Sequence, residues 1–270
     1  WGAPGFGSGL WISLGRSSMS KSIQEIKREL EQAPGSERGR LLEQYASDTR
    51  SGVVRLLQQF RRKEEKLLEE RKRLWGMQEF ERQYARCAVI CGIDEAGRGP
   101  LAGPVAAAAV ILPKDCEILY LNDSKKLSPK RREALYEEIM EKAEAVGVGL
   151  TDAARIDEIN ILQATYEAMR AAVGQLGMVP EVLLNDAVTI PGLAMEQVSI
   201  VKGDARSVSI AAASILAKVT RDRLMAEYDA QYPQYGFALH KGYGTAAHIE
   251  ALKAHGPCPI HRKTFITHFL

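Results

Sequence analysis

Ala88-Val-Ile-Cys-Gly-Ile-Asp94-Glu95-Ala-Gly97-Arg98-Gly99-Pro-Leu-Ala-Gly-Pro104, continued by Val105-Ala-Ala-Ala-Ala-Val-Ile-Leu112, is the stretch on which the fold turns. Ala88–Ile93 is a short apolar run that ends on an acid, and Val105–Leu112 is a second run held between Pro104 and Pro113. Apolar runs of this length between turn formers read as buried strands. The glycines between them read either as a tight structural turn or as a loop whose backbone can approach a ligand and donate N–H bonds. Their spacing excludes the dinucleotide-binding GxGxxG pattern, and no GxxxxGK[ST] phosphate loop occurs. Asp94 and Glu95 are neighbours, and neighbouring strand residues point to opposite faces. They can share one site only if the chain leaves regular strand geometry there, which Gly92 and Gly97 would permit.

Downstream, Arg131–Ala143 reads as helix and Val146–Leu150 as a third strand. Thr151 is expected to cap one long helix through Leu176, with Ile156, Ile159, Leu162, Tyr166 and Met169 on one face. Val182–Leu184 and Val198–Val201 are further short strands, Ser207–Tyr228 an Ala-rich helix and Thr245–His255 a last one. Strands alternating with helices predict an α/β domain over residues 87–270, a mixed sheet flanked by helices. Upstream, residues 19–86 read as a helical N-terminal extension. Ser22 caps Ile23–Leu30, Ala33–Ser36 is a break, and Val53, Leu56, Leu57, Phe60, Leu67, Leu68 and Leu74 then recur near helical spacing, interrupted by Glu64 and Arg71. This extension could pack on the main domain, pair with another chain or touch nucleic acid. Because the α/β pattern begins only near Cys87, residues 1–86 are expected to be removable without unfolding the rest. Residues 1–18, Gly- and Ser-rich and followed by Met19, read as a disordered leader or tag.

The 270 residues carry a net charge of +2, which hides an asymmetry: Lys21–Arg86 holds 16 Lys/Arg against 12 Asp/Glu, and Cys87–Leu270 holds 19 against 22. Charge alone does not announce a nucleic-acid binder; the acidic second half suits carboxylates gathered around cations and equally an ordinary solvated surface. Cys87, Cys91, Cys116 and Cys258 form no CxxC pair and read as reduced thiols of a cytoplasmic protein. No apolar run reaches the length of a membrane span.

Three strand-like segments end in or lead to an acid: Asp94-Glu95, Asp186 after Val182–Asn185, and Asp204 after Ile200–Gly203. Acids at strand ends are often turn formers or helix caps. If these converge, each pair of like charges 4 Å apart repels by about 4 kcal/mol at an effective dielectric near 20. A hard divalent cation, Mg²⁺ or Mn²⁺, converts that repulsion into coordination. Two such ions can activate a water and stabilise the leaving oxygen of a phosphodiester. His255, Cys258, His261 and His268 are the residue types of a zinc site without any common zinc spacing, and read as core or phosphate-facing groups. Asp222, between Arg221 and Arg223, reads as a partner in structural ion pairs.

Asp94-Glu-Ala-Gly-Arg-Gly99 followed by Pro-Leu-Ala-Gly-Pro-Val105 closely resembles the opening signature of the ribonuclease HII family, type 2 ribonucleases H. Further resemblances follow in that family's order: Asn122-Asp-Ser-Lys-Lys-Leu127, Lys202–Ser207, Ile210–Asp222, His240–Thr245 and His261–Phe265. The resemblance spans Ala88 to Phe265. It implies a ribonuclease H-like fold and a metal site of Asp94, Glu95, Asp186 and Asp204. It also implies that Gly97, Arg98 and Gly99 read a ribose 2′-hydroxyl, that Tyr243 stacks on the neighbouring deoxyribose, and that Asp123, Ser124 and Lys125 lie along the substrate path. Where the family has an aliphatic residue before the third acid, this chain has Asn185; either Asp186 is the ligand or Asn185 belongs to the turn and the register shifts. The implied activity is endonucleolytic hydrolysis, by two metals, of the RNA strand of RNA–DNA hybrids and 5′ of ribonucleotides embedded in duplex DNA; separately, the chain is expected to act as a monomer. The alternatives are another metal-dependent nuclease of the same fold and a non-catalytic nucleic-acid-binding module.

Overall fold

The computed structural model describes residues 21–270, so the expected leader lies outside the described residues. The chain divides into two compact units, one ending at Leu68 and the other running from Glu69 to Leu270. In the first, α1 (Ile23–Gln32) begins with a capping box: Ser22 accepts from the Glu25 amide while the Glu25 carboxylate accepts from the Ser22 amide. After the Ala33-Pro34 break come α2 (Gly35–Gln44) and α3 (Ser51–Met77). Ile26, Leu30, Leu42, Val53, Leu56, Leu57 and Phe60 close a small core. Past Glu64 the apolar stripe of α3 lapses, and Leu68 is exposed. Leu74 and Met77, beyond the division, are buried in the core of the second unit. The texture of the sequence changes at Cys87, whereas the unit that holds the sheet begins at Glu69.

That unit contains α4 (Glu79–Gln83), β1 (Ile90–Ala96), β2 (Val105–Ile111), α5 (Pro129–Lys142), β3 (Ala145–Thr151), α6 (Ala153–Gly174), β4 (Val182–Asp186), β5 (Glu196–Ile200), α7 (Val208–Gln231), α8 (Phe237–His240), α9 (Ala246–His255) and α10 (Lys263–Ile266). The strands form one mixed sheet in the order β3-β2-β1-β4-β5. β1–β2 and β2–β3 pair antiparallel; β1–β4 and β4–β5 pair parallel. Helix α7 covers one face, where Ala211, Ala212, Ile215 and Leu216 meet Ala108 and Val110. Helix α6 covers the other, where Ala164, Ala168 and Met169 meet Ile93, Ala107 and Ala109. The small residues of α7 let it lie almost on the sheet: a side chain at Gly92 would overlap the backbone of Ser209.

Two local expectations are corrected. β1 does not end at Asp94. It stays in register with β2 through Ala96, with Asp94 opposite Ala108 and Glu95 opposite Ala107, so the chain keeps strand geometry across the acid pair. The helix after β3 is not one rod capped by Thr151. Thr151 belongs to β3; Asp152 is the cap, accepting from the Arg155 amide at 2.8 Å. At Asn160 the backbone leaves the helix (φ 68°, ψ 163°), and the Asn160 side chain accepts from the amides of Leu162 and Gln163, capping a second segment. The break turns the apolar face: Ile156 is buried before it and Ala164, Ala168 and Met169 after it, while Leu162 is exposed.

Candidate active site

Parallel pairing of β1, β4 and β5 brings their C-terminal ends together, and each end leads to an acid. Ile93 is in register with Asn185, so Asp94 and Asp186 follow side by side on adjacent strands. Both lie on the α7 face, two residues beyond Gly92 and Leu184. Asn185 is a paired, fully buried strand residue, its amide bonded to Val188 O (3.2 Å) and Gln197 Oε1 (2.9 Å). Asn185 therefore belongs to β4 and not to the turn after it. Asp204 sits in the 3₁₀ turn Gly203–Ala205 just past β5. The Gly203 amide donates to Asp186 Oδ1 at 2.7 Å, which fixes that turn against the end of β4. Strand alternation turns Glu95 to the other face from Asp94, yet its charge still acts on Asp94 and is itself acted on by Asp186.

The row is electrostatically unfavourable as it stands. Burial, then Glu95, with Asp186 adding to both, pushes the Asp94 carboxyl far above the usual carboxylate range. Burial raises Glu95 too, and Arg98 opposes that shift. Asp204 is pushed up to about 6 by burial and by Asp123 and Asp186. Lys125 offsets the charge of both Glu95 and Asp204, and Arg98 Nη1 lies 3.4 Å from Glu95 Oε1. These two side chains are the counter-ions of the metal-free row. No three His, Cys, Asp or Glu side chains among the described residues close around one point as ligands. The donor set nonetheless suits a hard divalent cation. It is all oxygen, partly desolvated and short of positive charge.

The glycine loop leaves the same strand end directly. Gly97 has φ 91°, and a Cβ there would overlap the Arg221 side chain. At Gly99 a Cβ would meet only the Tyr243 ring, at 3.9 Å. The loop is backed by two fully buried arginines. Arg221 donates to the carbonyls of Pro104 (2.8 Å), Ala102 (3.0 Å) and Lys241 (2.9 Å). Arg262 donates to those of Gly97 (2.6 Å), Arg98 (2.8 Å) and Gly103 (2.8 and 3.0 Å). The Leu101 amide donates to Gly242 O at 2.8 Å, so the loop and the turn before Tyr243 are bound together. The Tyr243 side chain is 44% exposed, which excludes a core role.

Ser124, expected along the substrate path, is buried, and its hydroxyl meets Ser214 Oγ at 2.9 Å. Ser214 lies beside Asp94 and opposes the upward shift of its carboxyl. Asp123 caps its 3₁₀ turn through the Lys125 amide and faces Asp204. Asp222 pairs with Lys218 at 2.7 Å rather than with the arginines beside it in sequence. His248 and His261 are buried with their Nε2 atoms 3.0 Å apart, and His261 Nδ1 faces the Cys258 amide and thiol. Burial, then His248, lowers His261 to about 4, which makes it a neutral core histidine. Sequence reasoning missed Ser214, Arg221, Arg262 and the pairing of Asp123 with Asp204. Ser214, Lys218 and Arg221 stand at i, i+4 and i+7, one face of a helix, and that spacing could have drawn attention to Ser214 and Arg221; no such pattern marks Arg262.

A mixed sheet whose three parallel strands carry acids at or just past their C-terminal ends, with a close-approach loop beside them, defines a type 2 ribonuclease H, a hydrolytic enzyme. The family model for Ribonuclease HII matches residues 91–268 and that for the Ribonuclease HII N-terminal domain residues 22–85, and the chain belongs to the ribonuclease HII family. It is 62% identical over 248 residues to the Ribonuclease HII of Lachnoclostridium phytofermentans, covering 92% of this chain and 98% of that one. Among solved structures, it is similar to the ribonuclease H2 from Pyrococcus horikoshii OT3 (28% identity, TM-score 0.55, 65% of this chain and 93% of that one). It is also similar to RNase HII in the PCNA:RNase HII complex from Archaeoglobus fulgidus (30%, TM-score 0.53, 65% and 94%). No helix of the described residues is long and apolar enough to cross a membrane.

Proposed function

We propose that the chain hydrolyses the phosphodiester on the 5′ side of a ribonucleotide, in RNA–DNA hybrids and at single ribonucleotides in duplex DNA, leaving 3′-hydroxyl and 5′-phosphate ends. One observation carries this reading: Asp94-Glu95 and the Gly97–Gly99 loop follow each other at the end of one strand, so charge-holding and hydroxyl-reading groups share a single rigid origin.

Asp94, Glu95, Asp186 and Asp204 hold Mg²⁺ or Mn²⁺. Bound there, the cations supply an activated water and stabilisation of the leaving oxygen. Ser214, steadied by Ser124, orients the Asp94 carboxylate. Arg98 and Lys125, no longer needed as counter-ions, face the phosphates. The backbone of Gly97, Arg98 and Gly99 meets the 2′-hydroxyl, the group that separates RNA from DNA. The Tyr243 ring stacks on the following deoxyribose. The protein acts as a cytoplasmic monomer.

The test is cleavage of three duplexes, carrying one ribonucleotide, a full RNA strand or none, with Mg²⁺, with Mn²⁺ and with excess chelator. The first two should be cut only with metal and the all-DNA duplex never. Full activity in chelator, or equal cutting of DNA, overturns the reading.

A further inference from the structure

Arg221 and Arg262 are buried guanidinium groups that form no salt bridge among the described residues; backbone carbonyls are their hydrogen-bond partners. A buried charge without a counter-ion is costly, and an apolar side chain would fill the same volume without that cost. The bonds of Arg262 fall on consecutive carbonyls, those of Gly97 and Arg98. In a planar trans peptide the C=O and the next residue's N–H point opposite ways. Holding the Gly97 carbonyl inward therefore turns the Arg98 N–H outward, and holding the Arg98 carbonyl inward turns the Gly99 N–H outward. Neither amide donates to an acceptor among the described residues.

From this geometry we infer that Arg262 is the positioning residue of ribose recognition: by gripping the Gly97 and Arg98 carbonyls from inside, it aims the Arg98 and Gly99 N–H groups at the 2′-hydroxyl. Its charge also polarises the two peptide units and makes those N–H groups stronger donors. Arg221 does a different job, tying the loop (Ala102, Pro104) to Lys241 just before Tyr243. The inference rests on the reading of Gly97–Gly99 as the ribose-contacting loop. A lysine at position 262 keeps the charge but lacks the planar fork that spans several carbonyls at once.

The experiment uses the full chain in chelator, where no turnover occurs, with a duplex carrying one ribonucleotide and the identical all-DNA duplex. In the wild-type protein the Arg98 and Gly99 amides should exchange quickly with solvent when free, and become protected by the ribonucleotide duplex but not by DNA. In Arg262→Lys that ribose-dependent protection should vanish. With metal restored, its preference for ribonucleotide over DNA in kcat/KM should fall at least tenfold, mostly through KM, while Mn²⁺ binding stays unchanged. A folded Arg262→Lys that keeps both protection and preference overturns the inference and leaves the loop's role standing. Wild-type amides that respond equally to both duplexes overturn the loop's role and the inference with it. Wild-type amides already protected in the free protein overturn the inference even if the variant fails to fold.

Discussion

Gly97 and Arg221 leave no room between them for a methyl group: at φ 91° the Cβ of any other residue at 97 would overlap the guanidinium stem. Gly99, two residues on, has that room. The two glycines are therefore glycine for different reasons, one for the loop itself and one for what approaches it. Gly97→Ala should displace Arg221, lower the melting temperature and depress cleavage of every substrate. Gly99→Ala should melt like the wild type and lose cleavage at ribonucleotides selectively. Tyr243→Ala, which removes an exposed ring worth about 1–3 kcal/mol by analogy with base stacking, should slow cutting most where deoxyribose follows the ribonucleotide. Melts beside rates on single-ribonucleotide and all-RNA strands check all three; a stable Gly97→Ala would contradict the packing.

Replacing Asp94 with Asn keeps the acceptor for the Glu95 amide, bonded at 2.7 Å, and removes one charge from a crowded row. The metal-free protein should be as stable or more so, by on the order of 1 kcal/mol, or ~2–4 °C for a chain of this size. Cleavage should fall about a hundredfold or more. A lower melting temperature with near-normal rates would mark Asp94 as structural.

The pH dependence follows from the direction of the shifts. Asp94, Glu95 and Asp204 are raised in the folded chain, Asp204 to about 6, so their protons are held more tightly there than in the unfolded chain. Their contribution to stability is full below about pH 4 and is lost as pH rises through each folded-state value, which for Asp204 is about 6. His261, lowered to about 4, acts oppositely, losing stability as pH falls from about 6.5. The difference between melting with and without Mg²⁺ removes the histidine. That difference should shrink as pH drops from 7 to 5, because protons compete for the same oxygens. A difference that stays flat across this range would place the cation elsewhere.

Where the chain can be cut is set by packing. Leu74 and Met77 are buried in the core beneath α7, and the Glu81 carboxylate accepts from the Ser207 hydroxyl (2.6 Å) and the Ser209 amide (3.0 Å) at the start of α7. Removal of residues through Leu68 should leave a folded, metal-binding protein. Removal through Arg86 strips two core side chains, each worth about 2–5 kcal/mol, and a helix cap worth about 1 kcal/mol. It should give an unstable product. Expression and melting of the two truncations compare them directly; equal stability would sink the argument.

The strands and the line of acids were legible because apolar runs that stop at carboxylates are written locally. The persistence of β1 past Asp94 was not, because the alanines of β2 hold Glu95 and Ala96 in the sheet, and that is a cross-strand fact. The Asn160 break was hidden because periodicity averaged over a long window survives one change of phase. Arg262 was invisible as a site-builder because a buried arginine reads in sequence like a solvated one; only its carbonyl partners distinguish it. Whether Asn185 belonged to the strand or to the turn was open in the sequence, because its amide partners, Gln197 and Val188, are supplied from elsewhere in the chain.

The parallel half of the sheet carries a kinetic consequence. β1, β2 and β3 pair antiparallel with near neighbours in the chain, whereas β1 meets β4 only when Ile90 finds Val182. Loop closure over such a span comes late in folding. The charges of Asp94, Asp186 and Asp204 should therefore gather only after the antiparallel half has formed, and a nascent chain emerging from the ribosome should build its scaffold before it concentrates negative charge. Pulse-labelled refolding should protect the amides of β1–β3 ahead of those of β4 and β5, and divalent cations should accelerate only the later phase.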